Sequence, residues 1–118
     1  MSTRIQRINE TIKQELSHYI RLELKDPRLN TDMISIIRVE ATGDLRFAKV
    51  FVSIFENDAD KKNEMLGILK KSAGFLRKQI GKNLTTHYTP ELLFELDNSI
   101  EYGVHIDYLL RKINHKDN

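Results

Sequence analysis

Apolar residues recur at steps of three and four near the amino terminus: Ile5, Ile8, Ile12, Leu16, Tyr19 and Ile20. Such a stripe predicts a helix over 4–24, with Arg4, Arg7, Lys13 and Arg21 mostly off the apolar face. The helix should stop before Pro27, because a residue preceding proline is pushed out of the helical region. Two alternating stretches follow, Met33–Thr42 and Arg46–Phe55, which predict strands. Gly43-Asp44 between them is a tight-turn signal, so the pair reads as a hairpin. Strict alternation places Ser35, Ile37, Val39 and Ala41 with Ala48, Val50, Val52 and Ile54 on a face packed by helices. The opposite face would then carry Ile34, Ile36, Phe47 and Phe51 beside Arg38 and Lys49.

Helical spacing returns with Leu66, Leu69, Ala73, Leu76, Ile80 and Leu84, behind Asp58 or Asp60 as a capping residue. The stripe runs straight through Gly74, although a glycine inside a helix costs about 1 kcal/mol relative to alanine. Two accounts of Gly74 stand: it relieves crowding where helices cross, or it marks a break at which a ligand approaches the backbone. Pro90 opens a third strand over Glu91–Asp97, with Leu92, Phe94 and Leu96 inward. Asn98 and Glu101 have the spacing of a capping pair for a last helix, whose apolar side is Ile106, Leu109, Leu110 and Ile113. From about Asn114 the chain is polar, a tail expected to fray. The order α-β-β-α-α-β-α predicts one α+β domain over 1–113, a three-stranded sheet with helices on one face, and a short tail over 114–118.

Composition adds little until it is divided along the chain. The net charge is only +2, but residues 61–82 hold seven cations against Glu64 alone. Residues 91–107 hold five carboxylates and no lysine or arginine. A local positive field of this kind attracts polyanions even on a nearly neutral molecule. The chain has no cysteine, which removes disulfides, thiolate metal sites and cysteine nucleophiles together and suits a reducing, cytoplasmic setting. The amino-terminal residues form no continuous apolar run, so neither a signal peptide nor a membrane anchor is expected there.

Catalytic chemistry finds no footing. There is no G-x-S-x-G elbow, no phosphate-binding glycine loop and no H-E-x-x-H pair. Asp97, Ser99 and His105 do not make a triad: capping explains the first two, and His105 falls about one and two-thirds helical turns beyond Ser99. The expectation is a protein without catalytic residues, metal, cofactor or small-molecule substrate. What remains is the basic helical stretch, where Lys70, Lys71, Arg77, Lys78 and Lys82 surround Gly74 as phosphate-binding groups would. A protein-interaction module using the Phe47/Phe51 sheet face is the alternative.

Several stretches, in order along nearly the whole chain, resemble the bacterial ribosome-binding factor A family. They are Lys25-Asp26-Pro27-Arg28, Val39-Glu40, Asp44-Leu45, Ala48-Lys49-Val50-Phe51-Val52-Ser53 and Gly74-Phe75-Leu76-Arg77. Pro90-Glu91-Leu92-Leu93-Phe94, Asp97-Asn98-Ser99 and Ile106-Asp107-Tyr108-Leu109-Leu110 complete the set. The resemblance implies a type II KH-like domain, an RNA-binding fold, here without its usual G-x-x-G loop, in whose place the family uses an Ala-x-Gly kink. It further implies a monomeric, non-enzymatic factor that binds the free small (30S) ribosomal subunit and its 16S rRNA. Assistance in late subunit maturation and rRNA processing, with a role in growth in the cold, is part of the same implication.

On this resemblance the RNA-binding residues are Lys70, Lys71, Ser72, Gly74, Arg77, Lys78 and Lys82, with Arg4, Arg7 and Arg46 as outlying contacts. The chain reads Ser72-Ala73-Gly74, with serine where the family usually has alanine. A serine that bonds back to a carbonyl one turn earlier helps to bend a helix. Between Leu84 and Pro90, Thr85, Thr86, His87, Tyr88 and Thr89 stand where many relatives carry arginines, and Leu93 replaces a residue that is often basic.

Overall fold

The first helix, α1 (Thr3–Glu23), buries Ile8, Ile12, Leu16 and Ile20, the stripe expected from their spacing. The computed structural model describes residues 3–84, 86 and 88–97. The expected last helix, its Asn98/Glu101 capping pair and the tail from Asn114 lie outside the described residues. After α1 the chain passes Pro27 and a 3-10 turn at Thr31–Met33, then enters β1 (Ile34–Ala41) and β2 (Phe47–Ile54), an antiparallel hairpin. Helices α2 (Ala59–Lys71) and α3 (Ala73–Gly81) follow, and β3 (Glu91–Leu96) pairs parallel to β2, giving the sheet order β1-β2-β3. This is the α+β arrangement of a type II KH-like domain, with no G-x-x-G loop between α2 and α3.

The parity expected for the first strand holds for only half its length. Ile36 pairs with Val52, but Arg38 pairs with Phe51, so Ile37 is an extra residue on β1. One inserted residue moves every later side chain to the other face. Ile34 and Ile36 are therefore buried in the core and Ser35 is exposed, the reverse of strict alternation. Beyond the bulge, Val39 faces inward as expected. The turn also differs from expectation: Gly43 has no left-handed backbone, and Leu45 instead takes a φ of 60° with its side chain buried. Few residues other than glycine adopt that conformation, and burial of the leucine offsets its cost.

The core is one contiguous cluster. Ala48, Val50 and Val52 of β2, with Leu92 and Phe94 of β3, meet Ile12 and Leu16 of α1, Leu69 of α2, and Leu76 and Ile80 of α3. Helix α2 is capped by Asp58, not Asp60: the Asp58 carboxylate accepts from the backbone N–H groups of Asp60 (2.9 Å) and Lys61 (3.2 Å). Past β3, Asp97 is buried at 7% exposure and ion-pairs with Arg38 on β1. The Arg38 guanidinium also lies 3.9 Å from the Phe51 ring centre and bonds Glu40 at 2.9 Å. Asp97 thus belongs to a cross-sheet clamp and not to the acidic solvent face on which its neighbour Glu95 stands. No helix among the described residues is long and apolar enough to cross a membrane.

Leu76 has no exposed surface and lies in the turn just after the break between α2 and α3. Leu76→Ala is expected to lower unfolding free energy by about 2–5 kcal/mol, read from chemical denaturation with a two-state fit.

Candidate nucleic-acid interface

The break in the long basic helix falls at Ser72, two residues before the expected glycine. Ser72 has φ −85° and ψ −3°, and separates α2 from α3. Its backbone N–H bonds the carbonyls of Ile68 (3.0 Å) and Leu69 (3.1 Å), and its own carbonyl accepts from Leu76 N–H at 2.9 Å. The Ser72 Oγ donates a second bond to the Ile68 carbonyl at 2.8 Å. Such back-bonding crowds one carbonyl with two donors and bends the axis there, as expected of a serine at this position.

Gly74 occupies the second position of α3, and a Cβ added there would meet no atom within 4 Å. Relief of crowding therefore does not explain it. Among the described residues, Gly81 is the glycine with a packing reason, since a Cβ there would lie 2.7 Å from Thr89 Oγ1. With Ser72 making the bend, the bare backbone at Gly74 is left as an open surface feature.

Around that point the basic side chains divide between two sides of the kink. Lys70, Gly74, Lys78 and Lys82 recur every fourth residue, one stripe of the helix pair. Lys70, Gly74 and Arg77, with Ala73, form one wall of an open cleft whose other wall is residues 91–95 of β3. Arg77 is anchored at the end of this wall by donating from Nε to the Thr89 carbonyl at 3.0 Å. Lys82 ends the stripe with its Nζ on Gln79 Oε1 at 3.1 Å. Arg46 stands at the same end of the cleft as Arg77, because its carbonyl accepts from Glu91 N–H at 2.8 Å; its side chain projects from the hairpin into solvent.

The remaining candidates lie elsewhere. Lys71 and Ser72 line a different groove, with Lys25, Asp26, Arg28 and Phe75. Arg4 and Arg7 line a third, at the far end of α3 beside Asn83 and Leu84. The structure thus brings Lys70, Gly74 and Arg77 together, and sets Arg4 and Arg7 apart from them. Ser72 has its hydroxyl committed to the Ile68 carbonyl.

The cleft walls differ in charge. The helix side carries Lys70 and Arg77, while Glu91 and Glu95 stand on the strand side. No lysine or arginine of β3 faces it, since Leu93 occupies the intervening position. In the order β1-β2-β3 the third strand is at the edge of the sheet, so the cleft runs along an edge of the described sheet. The sheet's outer face makes a poorer platform than its sequence suggests. Ile34 and Ile36 have turned inward, Arg38 covers Phe51, and Phe47 is left at 42% exposure. Among the described residues no cluster of three or more His, Asp or Glu side chains could hold a metal ion.

Electrostatics single out one further pair. Arg28 donates to Asp26 through Nε (3.1 Å), Nη2 (2.7 Å) and its backbone N–H (2.9 Å). These hydrogen bonds from Arg28 hold the Asp26 carboxyl down at about 2, against an ordinary 3.8, and the Lys71 charge pulls the same way. The Lys-Asp-Pro-Arg stretch after α1 thereby becomes a fixed wall beside the kink, a placement its sequence did not disclose.

Comparison with known proteins agrees with this fold. The family model described as ribosome-binding factor A matches residues 4–110. A ribosome-binding factor A of Clostridium novyi is 53% identical over 113 residues, covering 96% of this chain and 92% of the relative. That of Clostridium beijerinckii is 50% identical over 107 residues, covering 91% and 90%. The solution structure of a Thermotoga maritima ribosome binding factor A superposes with a TM-score of 0.73 at 34% identity, over 86% of this chain and 93% of that one. A homology model of the Thermus thermophilus ribosome binding factor A, fitted into a cryo-electron microscopy map of its complex with the 30S subunit, shares the fold with a TM-score of 0.61 at 21% identity, over 76% and 91%. The chain belongs to the ribosome-binding factor A family.

Proposed function

We propose that this protein binds the small ribosomal subunit by holding a single-stranded segment of its RNA in the cleft between the kinked helix pair and the edge of β3. The observation that carries this reading is the placement of Lys70, Gly74 and Arg77 on one wall of that cleft, with Lys78 and Lys82 extending the same helical stripe. The asymmetry of the walls orients the strand. Phosphates belong on the helix side, where lysine and arginine neutralise them, and are repelled by Glu91 and Glu95. The bases then face β3, whose edge backbone groups and carboxylates can pair with base edges, as with the amino group of cytosine.

The Thermus thermophilus relative assembles with the 30S subunit, which supports the small subunit as partner. We extend the reading to the finer points that the family implies: 16S rRNA as the ligand within the free subunit, action as a monomer in the cytoplasm, and assistance in late maturation and rRNA processing with most effect in the cold. No step of this function requires the protein to make or break a covalent bond.

Two measurements test it. The double variant Lys70→Glu/Lys78→Glu, cosedimented with purified small subunits at graded salt, should bind more weakly. The slope of log affinity against log salt should shrink by about 0.7 for each phosphate that is no longer neutralised. An unchanged slope in a folded variant would falsify the proposed phosphate wall. Gly74→Ala separates backbone approach from stability: with open space around the added methyl, the variant should be more stable by up to about 1 kcal/mol yet bind less. Equal binding by the more stable variant would remove Gly74 from the contact surface.

A further inference from the structure

Phe75 is the residue that the cleft leaves unexplained. It stands on α3 at 43% exposure, one residue from Gly74 but about 100° round the helix, and so belongs to the groove on the other side of the kink. That groove has a volume of about 410 Å³, within the range of about 300–1,000 Å³ typical of small-molecule sites. Its wall opposite Phe75 is the segment after α1, with Lys25 and Arg28, and Lys71 lies one turn before Phe75 on the same side.

We propose that this groove is a second nucleotide site, in which single-stranded RNA leaving the β3 cleft stacks a base on Phe75 and seats a phosphate among Lys25, Arg28 and Lys71. The proposal rests on the RNA-binding reading above and deepens it. Three observations converge. An exposed aromatic ring interleaved with cations is the arrangement that holds unpaired bases, because every base offers a π-face and every linkage a negative charge. The three cations outnumber the carboxylates Glu23 and Asp26 in the groove, and Asp26 is already engaged by Arg28. That engagement uses Nε and Nη2 of Arg28 and fixes the guanidinium plane, with Nη1 outside the pair. Gly74, finally, lies between the two grooves with nothing within 4 Å of its missing Cβ. It is a saddle over which a sugar-phosphate chain passes from one groove to the other.

The chain contains no tryptophan, so Phe75→Trp places a single reporter at the proposed stacking position. Titration with an oligouridylate dodecamer should quench its emission saturably, over the concentrations at which the same RNA, end-labelled, gains anisotropy. Phe75→Ala, a change at an exposed position, should weaken that RNA about five-fold or more, the loss of one stacked base. Anisotropy that rises without any change in indole emission, with Phe75→Ala binding as tightly as the parent, overturns the second site and leaves the β3 cleft standing. No binding in either signal overturns both readings together. Emission that responds only to RNA-free small-subunit proteins overturns the proposal in favour of a protein-binding groove.

Discussion

The apolar seam that passes unbroken beneath Ser72 is the constraint on which the rest of this molecule depends. Leu69 before the bend, and Leu76 and Ile80 after it, have no exposed surface. Burying three such side chains is worth about 1.5–3 kcal/mol each, well above the cost of one irregular helical turn. Both half-helices are therefore clamped to one sheet, and the bend is fixed in position and direction. The Ser72 hydroxyl bonded to the Ile68 carbonyl selects where the axis gives way. Because the core holds the inner side, the outer side can present a bare glycine without loss of order.

Helices and strand boundaries were largely legible in the sequence, because each rests on local periodicity that a core then rewards. The α1 stripe, the inward set of β2 and β3, and the apolar positions flanking the bend all appear in the structure as their spacing implies. What was not legible depends on pairing between distant segments. The bulge at Ile37 exists only relative to β2, and no residue type announces it. The run Asp97-Asn98-Ser99 offers capping oxygens to the helix expected outside the described residues, and nothing in it announces that Asp97 is buried. Its buried place follows from the parallel pairing of β3, which carries it to Arg38, 59 residues away.

The candidate site was legible in its charges and not in its geometry. A run of lysines around Gly74 stands out in any reading, but the chain alone does not tell which of them share a side. Helical phase separates Lys70 from Lys71, and the segment after α1 turns that separation into two grooves with different walls. Ser72, expected as a contact residue, stands at the break between the half-helices and donates its hydroxyl proton to the Ile68 carbonyl.

The two walls of the β3 cleft also limit what kind of recognition it can perform. Lysines and arginines neutralise phosphates of any sequence, so under the proposed function the helix side would contribute affinity and register but no discrimination. Discrimination has to come from the strand side, where the edge of β3 presents fixed backbone groups beside Glu91, Leu93 and Glu95. A basic residue in place of Leu93 would draw a phosphate toward that wall and turn the bases away from it. The apolar side chain at this position, with carboxylates two residues to either side, keeps the polarity of the cleft in one direction. On the proposed reading, the acidic strand, which weakens attraction for RNA as a whole, would give a bound strand its defined orientation.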